Sequence, residues 1–286
     1  MSRNRERSGG VQQHDSSPPP QMMQNEGAAP FSFVVPTEFV ELPSQGKFYP
    51  EGHPLAGQDS IEIRQMTAKE EDMLTSRTLL KKGVALDRVI ENVIVNKTID
   101  PDSLLIGDRN AIIIALRVSG YGNDYDTQIT CPACNVNQNY SFDLNTADIY
   151  HGESTSDSIQ TTYNDDGTFT TVLPKTQVNV AFKLLTGRDE RKMLEGIEAD
   201  RRQKIHERSV TRQIINMVTS VNDDSSAGAI NYLVQNIPST DSRHLRLAYK
   251  LVAPNLDLIE YFECSECMHS QDLEVPLTAD FFWPDR

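Results

Sequence analysis

The chain has 286 residues, 38% of them hydrophobic, with 27 Lys and Arg against 41 Asp and Glu and a formal net charge of −14. That length holds two domains of ordinary size, and no run approaches the ~20 apolar residues of a membrane span. So acidic a body repels phosphate backbones; the one basic run, around Arg201-Arg202-Gln203-Lys204, is interleaved with Asp and Glu and reads as a solvated helix face.

Residues 1–30 are rich in Ser, Gly, Pro and Gln and are charge-neutral, with three Arg against Glu6, Asp15 and Glu26. Such a segment buries too little apolar surface to offset its ordering entropy, so a disordered tail is predicted, with a linear interaction motif as the alternative. The N-terminus lacks the apolar segment of a signal peptide. Synthesis in a cytosol that keeps thiols reduced is therefore expected.

Phe31 to Pro50 reads as an extended arm, because Pro43, Gly46 and Pro50 oppose helix and favour turns. Ile61 and Ile63 alternate with polar residues as in a half-buried strand. Thr67-Ala-Lys-Glu70 is a capping box that opens a helix over about 68–80. A second helix is predicted from Asp87 to about Val95. Asp108 is placed to cap a third, over Arg109–Val118 and ending at Gly120. Strands over Tyr125–Thr130 and Asn139–Leu144 put Cys131-Pro-Ala-Cys134 at the tip of a β-hairpin.

His151 to Thr171 is polar, and Asn164-Asp-Asp-Gly167 within it has hairpin-turn chemistry. The earlier order then returns. Val178, Val180 and Phe182 alternate as a strand, and Thr186-Gly-Arg-Asp189 repeats the capping box ahead of a charged helix over about 188–218. Arg212–Val221, Ile230–Gln235 and Arg243–Val252 are further helical segments. Strands over Leu258–Phe262 and Asp272–Leu277 flank Cys264-Ser-Glu-Cys267. Phe281-Phe-Trp-Pro284 is expected to dock on the fold's own core.

Both cysteine pairs recur at an offset of 133 residues, as do Asp108 and Asp241, Ile112 and Leu245, Ala115 and Ala248, Arg117 and Lys250, and Phe142 and Val275. An internal repeat is implied. The two capping boxes lie 119 residues apart, so an insertion of 14 residues falls between cap and third helix. Gly46-Lys-Phe48 and Gly167-Thr-Phe169 give a weaker match, read as a repeated opening hairpin. The expected fold class is α+β: a disordered tail over 1–30, a first repeat over 31–146, a polar linker over 147–176 and a second repeat over 177–286. A pseudo-two-fold axis relates the two copies.

A CxxC at a hairpin tip is a zinc knuckle, and one knuckle supplies half of a tetrahedral site. Two units on a pseudo-two-fold would bring Cys131, Cys134, Cys264 and Cys267 together around one structural zinc per chain, with no open coordination position. Two other readings stand beside it. Each pair is a metal-free turn, or a redox CxxC, which would sit at a helix N-terminus, where neither pair does. Asn135 and Met268 stand where knuckles often carry Gly, and His269 is near enough to be a substitute ligand. No GxxxxGK, GxGxxG, HExxH or GxSxG motif occurs. His53 and His206 read as solvated, and Asp165-Asp166 and Asp223-Asp224 fall in polar turns. A non-enzyme is expected.

Glu41-Leu-Pro-Ser-Gln-Gly-Lys-Phe-Tyr-Pro50, Ile63-Arg-Gln-Met-Thr-Ala-Lys-Glu-Glu-Asp72 and Leu105-Ile-Gly-Asp-Arg-Asn-Ala111 together resemble the baseplate hub proteins of T-even-type contractile-tail phages. The chain is most similar to their hub-assembly subunits, which also show a CPxC element after the third helix. The resemblance covers about 31–146, and the second half joins it through the repeat. It implies virion assembly at the central hub of the tail baseplate, in the host cytoplasm during assembly or in the particle's tail. Hub, tail-tube or wedge proteins are the implied partners, with self-association open and neither nucleic acid nor membrane expected. The arm over 31–50 suits lying along a neighbouring subunit or wrapping its own domain. A zinc-ribbon module acting on nucleic acid or a transcription complex is the alternative. The charge of −14 and the lack of aromatics interleaved with Arg and Lys at the knuckles oppose it.

Overall fold

Strands β1 (Thr37–Glu41) and β2 (Ser60–Arg64) pair antiparallel, and the Ile61 and Ile63 side chains of β2 are buried, as their alternation requires. The computed structural model describes residues 34–81, 83–153, 155–156, 158–275 and 279–282; the tail expected over 1–30 lies outside them. Between β1 and β2 the chain runs through turns. Gln45 and Gly46 are both left-handed there, and a Cβ on Gly46 would lie 2.4 Å from the Leu55 carbonyl oxygen, so only glycine fits.

Helix α1 (Ala68–Thr75) opens on the expected capping box, and Arg64 closes a two-pronged ion pair on its buried Glu70. The helix expected to reach residue 80 breaks instead at Ser76, whose extended backbone (ψ 108) separates α1 from α2 (Arg77–Lys81). Helix α3 (Ala85–Val93) turns Val89, Ile90 and Val93 fully into the core. Helix α4 (Ile106–Tyr121) starts ahead of its expected cap and ends at Gly122, not Gly120. Asp108 lies inside the first turn, and its carboxylate reaches out of the helix to the arm.

The hairpin of β3 (Asp124–Thr130) and β4 (Asn137–Asp143) follows in the expected place. Strand β5 (Asp148–Tyr150) comes next, then β6 (Thr162–Tyr163) and β7 (Phe169–Val172), joined by the Asn164–Gly167 turn with Gly167 at φ +82°. With β8 (Asn179–Phe182) they form part of a four-stranded antiparallel sheet.

Helix α5 (Gly187–Arg202) begins at the second capping box. The single charged helix expected to residue 218 is two helices, because Asp200 gathers Arg208 and Arg212 and folds α6 (Ser209–Met217) back. The last four residues of the helical segment expected over Arg212–Val221 are not helical. Val218-Thr-Ser-Val221 is rich in β-branched residues and forms β9 (Val218–Val221), the strand that pairs with β8. Helices α7 (Ala227–Asn236) and α8 (Ser239–Val252) lead to β10 (Asn255–Asp257) and the hairpin of β11 (Ile259–Glu263) and β12 (Ser270–Glu274).

The chain's two halves share one core, with Leu42, Ile63, Ile112, Phe182 and Leu245 in the same buried cluster. β5 pairs with β10 across more than a hundred residues, and the Ile106 N–H donates to the Leu185 carbonyl. Phe281 and Phe282 are buried in that core as expected, whereas Trp283 and Pro284 lie outside the described residues. Gly46-Lys-Phe48 and Gly167-Thr-Phe169 are brought together, their phenylalanine rings 5.7 Å apart between centroids. Leu42-Pro43 and Leu173-Pro174 are locally alike: both leucines are fully buried, and Gln45 and Gln177 shortly after them are both left-handed. No helix among the described residues is long and apolar enough to cross a membrane.

Candidate metal centre

Each CxxC occupies a hairpin turn built in the same way. The Cys131 N–H donates to the Val136 carbonyl and the Asn135 N–H to the Cys131 carbonyl; in the second turn Cys264 donates to His269 and Met268 to Cys264. Asn135 and Met268, the residues after each second cysteine, both stand at φ +58°. Asn tolerates that region and Met adopts it at a cost, so the turn geometry is held by more than local preference.

The two tips meet. All four Sγ atoms lie within 4.8 Å of one another, with Cys131–Cys267 at 3.8 Å and Cys134–Cys264 at 3.7 Å. A disulfide would need about 2.05 Å. Four sulfurs at ~2.3 Å from one central ion stand about 3.8 Å apart along the edges of a tetrahedron. The close pairs cross between the turns, joining the first cysteine of one to the second of the other. Cys131 and Cys264 are fully buried, Cys134 is half-buried and Cys267 is exposed.

The hairpins are fastened along their lengths as well as at the tips. Tyr140 Oη donates to the Tyr261 carbonyl at 2.6 Å, and Gln138 Oε1 accepts from both the N–H and the hydroxyl of Ser265. Glu260 Oε1 accepts from the Asp143 N–H at 2.8 Å and from Thr146 Oγ1 at 2.9 Å. Below the sulfurs the Tyr140 ring meets Phe262 edge-on at 5.5 Å.

Cys131 and Cys134 do not ionise alike. Burial raises Cys131, but the N–H groups of Cys134 and Ala133 outweigh it and bring this thiol down to about 7. Cys134 receives the Val136 N–H, yet burial and the three neighbouring sulfurs push it up to about 12. Sulfurs this close cannot share several negative charges by themselves, and a cation among them would remove that conflict.

His269 stands beside the cluster without joining it; its ring pairs with Gln271 at 3.2 Å. His53 is not solvated as expected but half-buried, stacked on Tyr49 at 4.4 Å and bonded to Ser103 Oγ, and burial lowers its pKa. His206 is exposed. Asp166 and Asp224 serve their own turns, accepting from the Thr168 and Ser226 N–H groups.

Two sets of residues have roles that the sequence pattern does not announce. Arg117 is fully buried, and its guanidinium donates to the carbonyls of Gly122, Asp124 and Phe281, fixing the base of the first hairpin. A lone charge four residues after Ile113 on a buried helix face was the available sign. Asp108 accepts from the Ser44 N–H, the Ser44 hydroxyl and the Tyr49 hydroxyl, and Asp241 accepts likewise from Lys175 and Thr176. Their offset of 133 was visible; their reach to the preceding arm was not.

Together these features define an α+β protein clasped by a four-cysteine centre of the kind that takes a metal. A family model described as T4 bacteriophage base plate protein matches residues 35–283, and the chain belongs to that family. No curated protein and no solved structure matches it.

Proposed function

We propose that the chain is a non-enzymatic structural or assembly component of the baseplate hub, held in shape by one zinc ion on Cys131, Cys134, Cys264 and Cys267. The observation that carries this reading is the meeting of four Sγ atoms within 4.8 Å from turns more than a hundred residues apart, in a chain of the baseplate family. Bound zinc would supply fixed tetrahedral linkage and charge neutralisation. The chain's own part is to present two turns of matching geometry on hairpins that are already fastened side by side.

In this reading residues 31–146 and 177–286 are two copies of one unit, joined by 147–176 and related by a pseudo-two-fold axis. The capping boxes at Thr67 and Thr186, the buried Asp108 and Asp241, and the two cysteine turns support it. Other baseplate proteins are the partners, and the arm over 31–50 and the paired hairpins are the means of positioning them.

Elemental analysis of protein purified in metal-free buffer should return one zinc per chain. Cys134→Ser combined with Cys267→Ser should lose the metal and lower the melting temperature. A natively folded wild-type chain with no zinc would overturn the metal assignment. Failure to co-purify with any hub, tube or wedge protein when these are co-expressed would overturn the hub role.

A further inference from the structure

A cleft of about 870 Å³ opens between α8 and the turn after it, with Ile106 and Gly107 of α4 at its floor. From α8 it is lined by Arg243, Arg246, Leu247 and Lys250, which at spacings of three, four and seven share one helix face. Leu247 is 43% exposed in the middle of that face. The three cations make no hydrogen bond or ion pair among the described residues, and Arg246 Nε is buried without an acceptor. Asp257 is the one carboxylate among the described lining residues. Elsewhere in this acidic chain the partly buried arginines Arg64, Arg191 and Arg212 each hold a carboxylate.

We infer that this cleft docks an extended acidic segment of a partner protein, whose carboxylates pair with Arg243, Arg246 and Lys250 while an apolar side chain covers Leu247. Seven residues of helix span about 10 Å, the reach of about three extended residues. A single small anion would engage one or two of the cations and leave Leu247 bare. A nucleic-acid duplex would carry its phosphates past the cleft onto a body of net charge −14. An acidic peptide with interspersed apolar residues matches both the charge and the exposed leucine. Gly107 lets α4 approach the turn after α8 closely, since a Cβ there would fall 1.9 Å from the Pro254 carbonyl oxygen. The inference rests on the partner-positioning role proposed above, and names the chemistry of one partner.

The test uses the full chain and a fluorescein-labelled peptide alternating Glu and Leu, followed by anisotropy. Binding should weaken as salt rises, and Arg246→Glu or Lys250→Glu should weaken it about tenfold or more. The milder Arg246→Gln should weaken it less. A chain carrying Arg243→Glu, Arg246→Glu and Lys250→Glu should instead take up a Lys and Leu peptide. Zinc content and melting temperature read on the same variants keep this test separate from that of the cysteine centre. Equal affinity of wild type and variants would overturn the inference. So would capture of a short DNA duplex in place of the peptide, or a monomer–dimer equilibrium that Arg246→Glu shifts without any peptide.

Discussion

Asp108 shows how much of this fold hangs on single buried groups. Its three donors, the Ser44 N–H, the Ser44 hydroxyl and the Tyr49 hydroxyl, are all neutral, so burial prevails and raises its pKa. Asp241, in the corresponding turn of α8, is raised by burial but more strongly lowered by the Lys175 and Thr176 donors. Asp108→Ala would strand buried donors and should cost about 2–3 kcal/mol, read from urea unfolding. Because the folded chain binds the Asp108 proton more tightly than the unfolded chain, this carboxyl's contribution declines as pH rises through its folded pKa. Glu70 has the opposite sign. Burial raises it, but Arg64 and the Thr67 N–H and hydroxyl hold it at about 2, below its ordinary 4.5. Its stabilisation is complete above the ordinary value and is lost as pH falls toward 2. Glu70→Gln should therefore flatten the acid limb of a stability–pH curve between those two values.

At the level of elements, what could be read from the chain was whatever neighbours in sequence decide. The two capping boxes, the Asn164–Gly167 turn and both CxxC hairpins stand where local chemistry puts them. The misplacements have distant causes. The α5 pattern continues past Arg202, yet Asp200 draws Arg208 and Arg212 onto one carboxylate and turns the chain. Val218–Val221 keeps helical spacing with α6 but is taken up by the edge of β8. Asp200→Asn should release this turn, seen as faster amide exchange across α6 with exchange in α3 and α4 unchanged. The meeting of the two cysteine turns was legible because the offset of 133 implies a geometry that the chain between them does not. The seam behind the tips, Tyr140 to Tyr261 and Gln138 to Ser265, depends on how the two hairpin faces pack and has no signature in sequence.

For the molecule as a whole, the four sulfurs differ in access. Cys131 and Cys264 have no exposure, while Cys267 reaches the surface. A thiol reagent added after chelation should label Cys267 first and Cys134 next, with Cys131 and Cys264 reacting only as the hairpins open. Peptide mass mapping over time would show that order, and simultaneous labelling of all four would refute it. One core serves both halves of the described residues, joined by the β5–β10 pairing and the Leu105–Thr186 bridge. A truncation at residue 146 should therefore expose apolar surface and aggregate, not persist as a folded half.

Arg117 carries this interlocking into the time in which the protein is made. One of its three acceptors, the Phe281 carbonyl, lies 164 residues further on. At ~5–20 residues per second, translation leaves that guanidinium short of its partner for about ten to thirty seconds. The base of the first hairpin is thus completed only once Phe281 is available, and a chain cut short of that residue keeps a buried guanidinium without one of its acceptors.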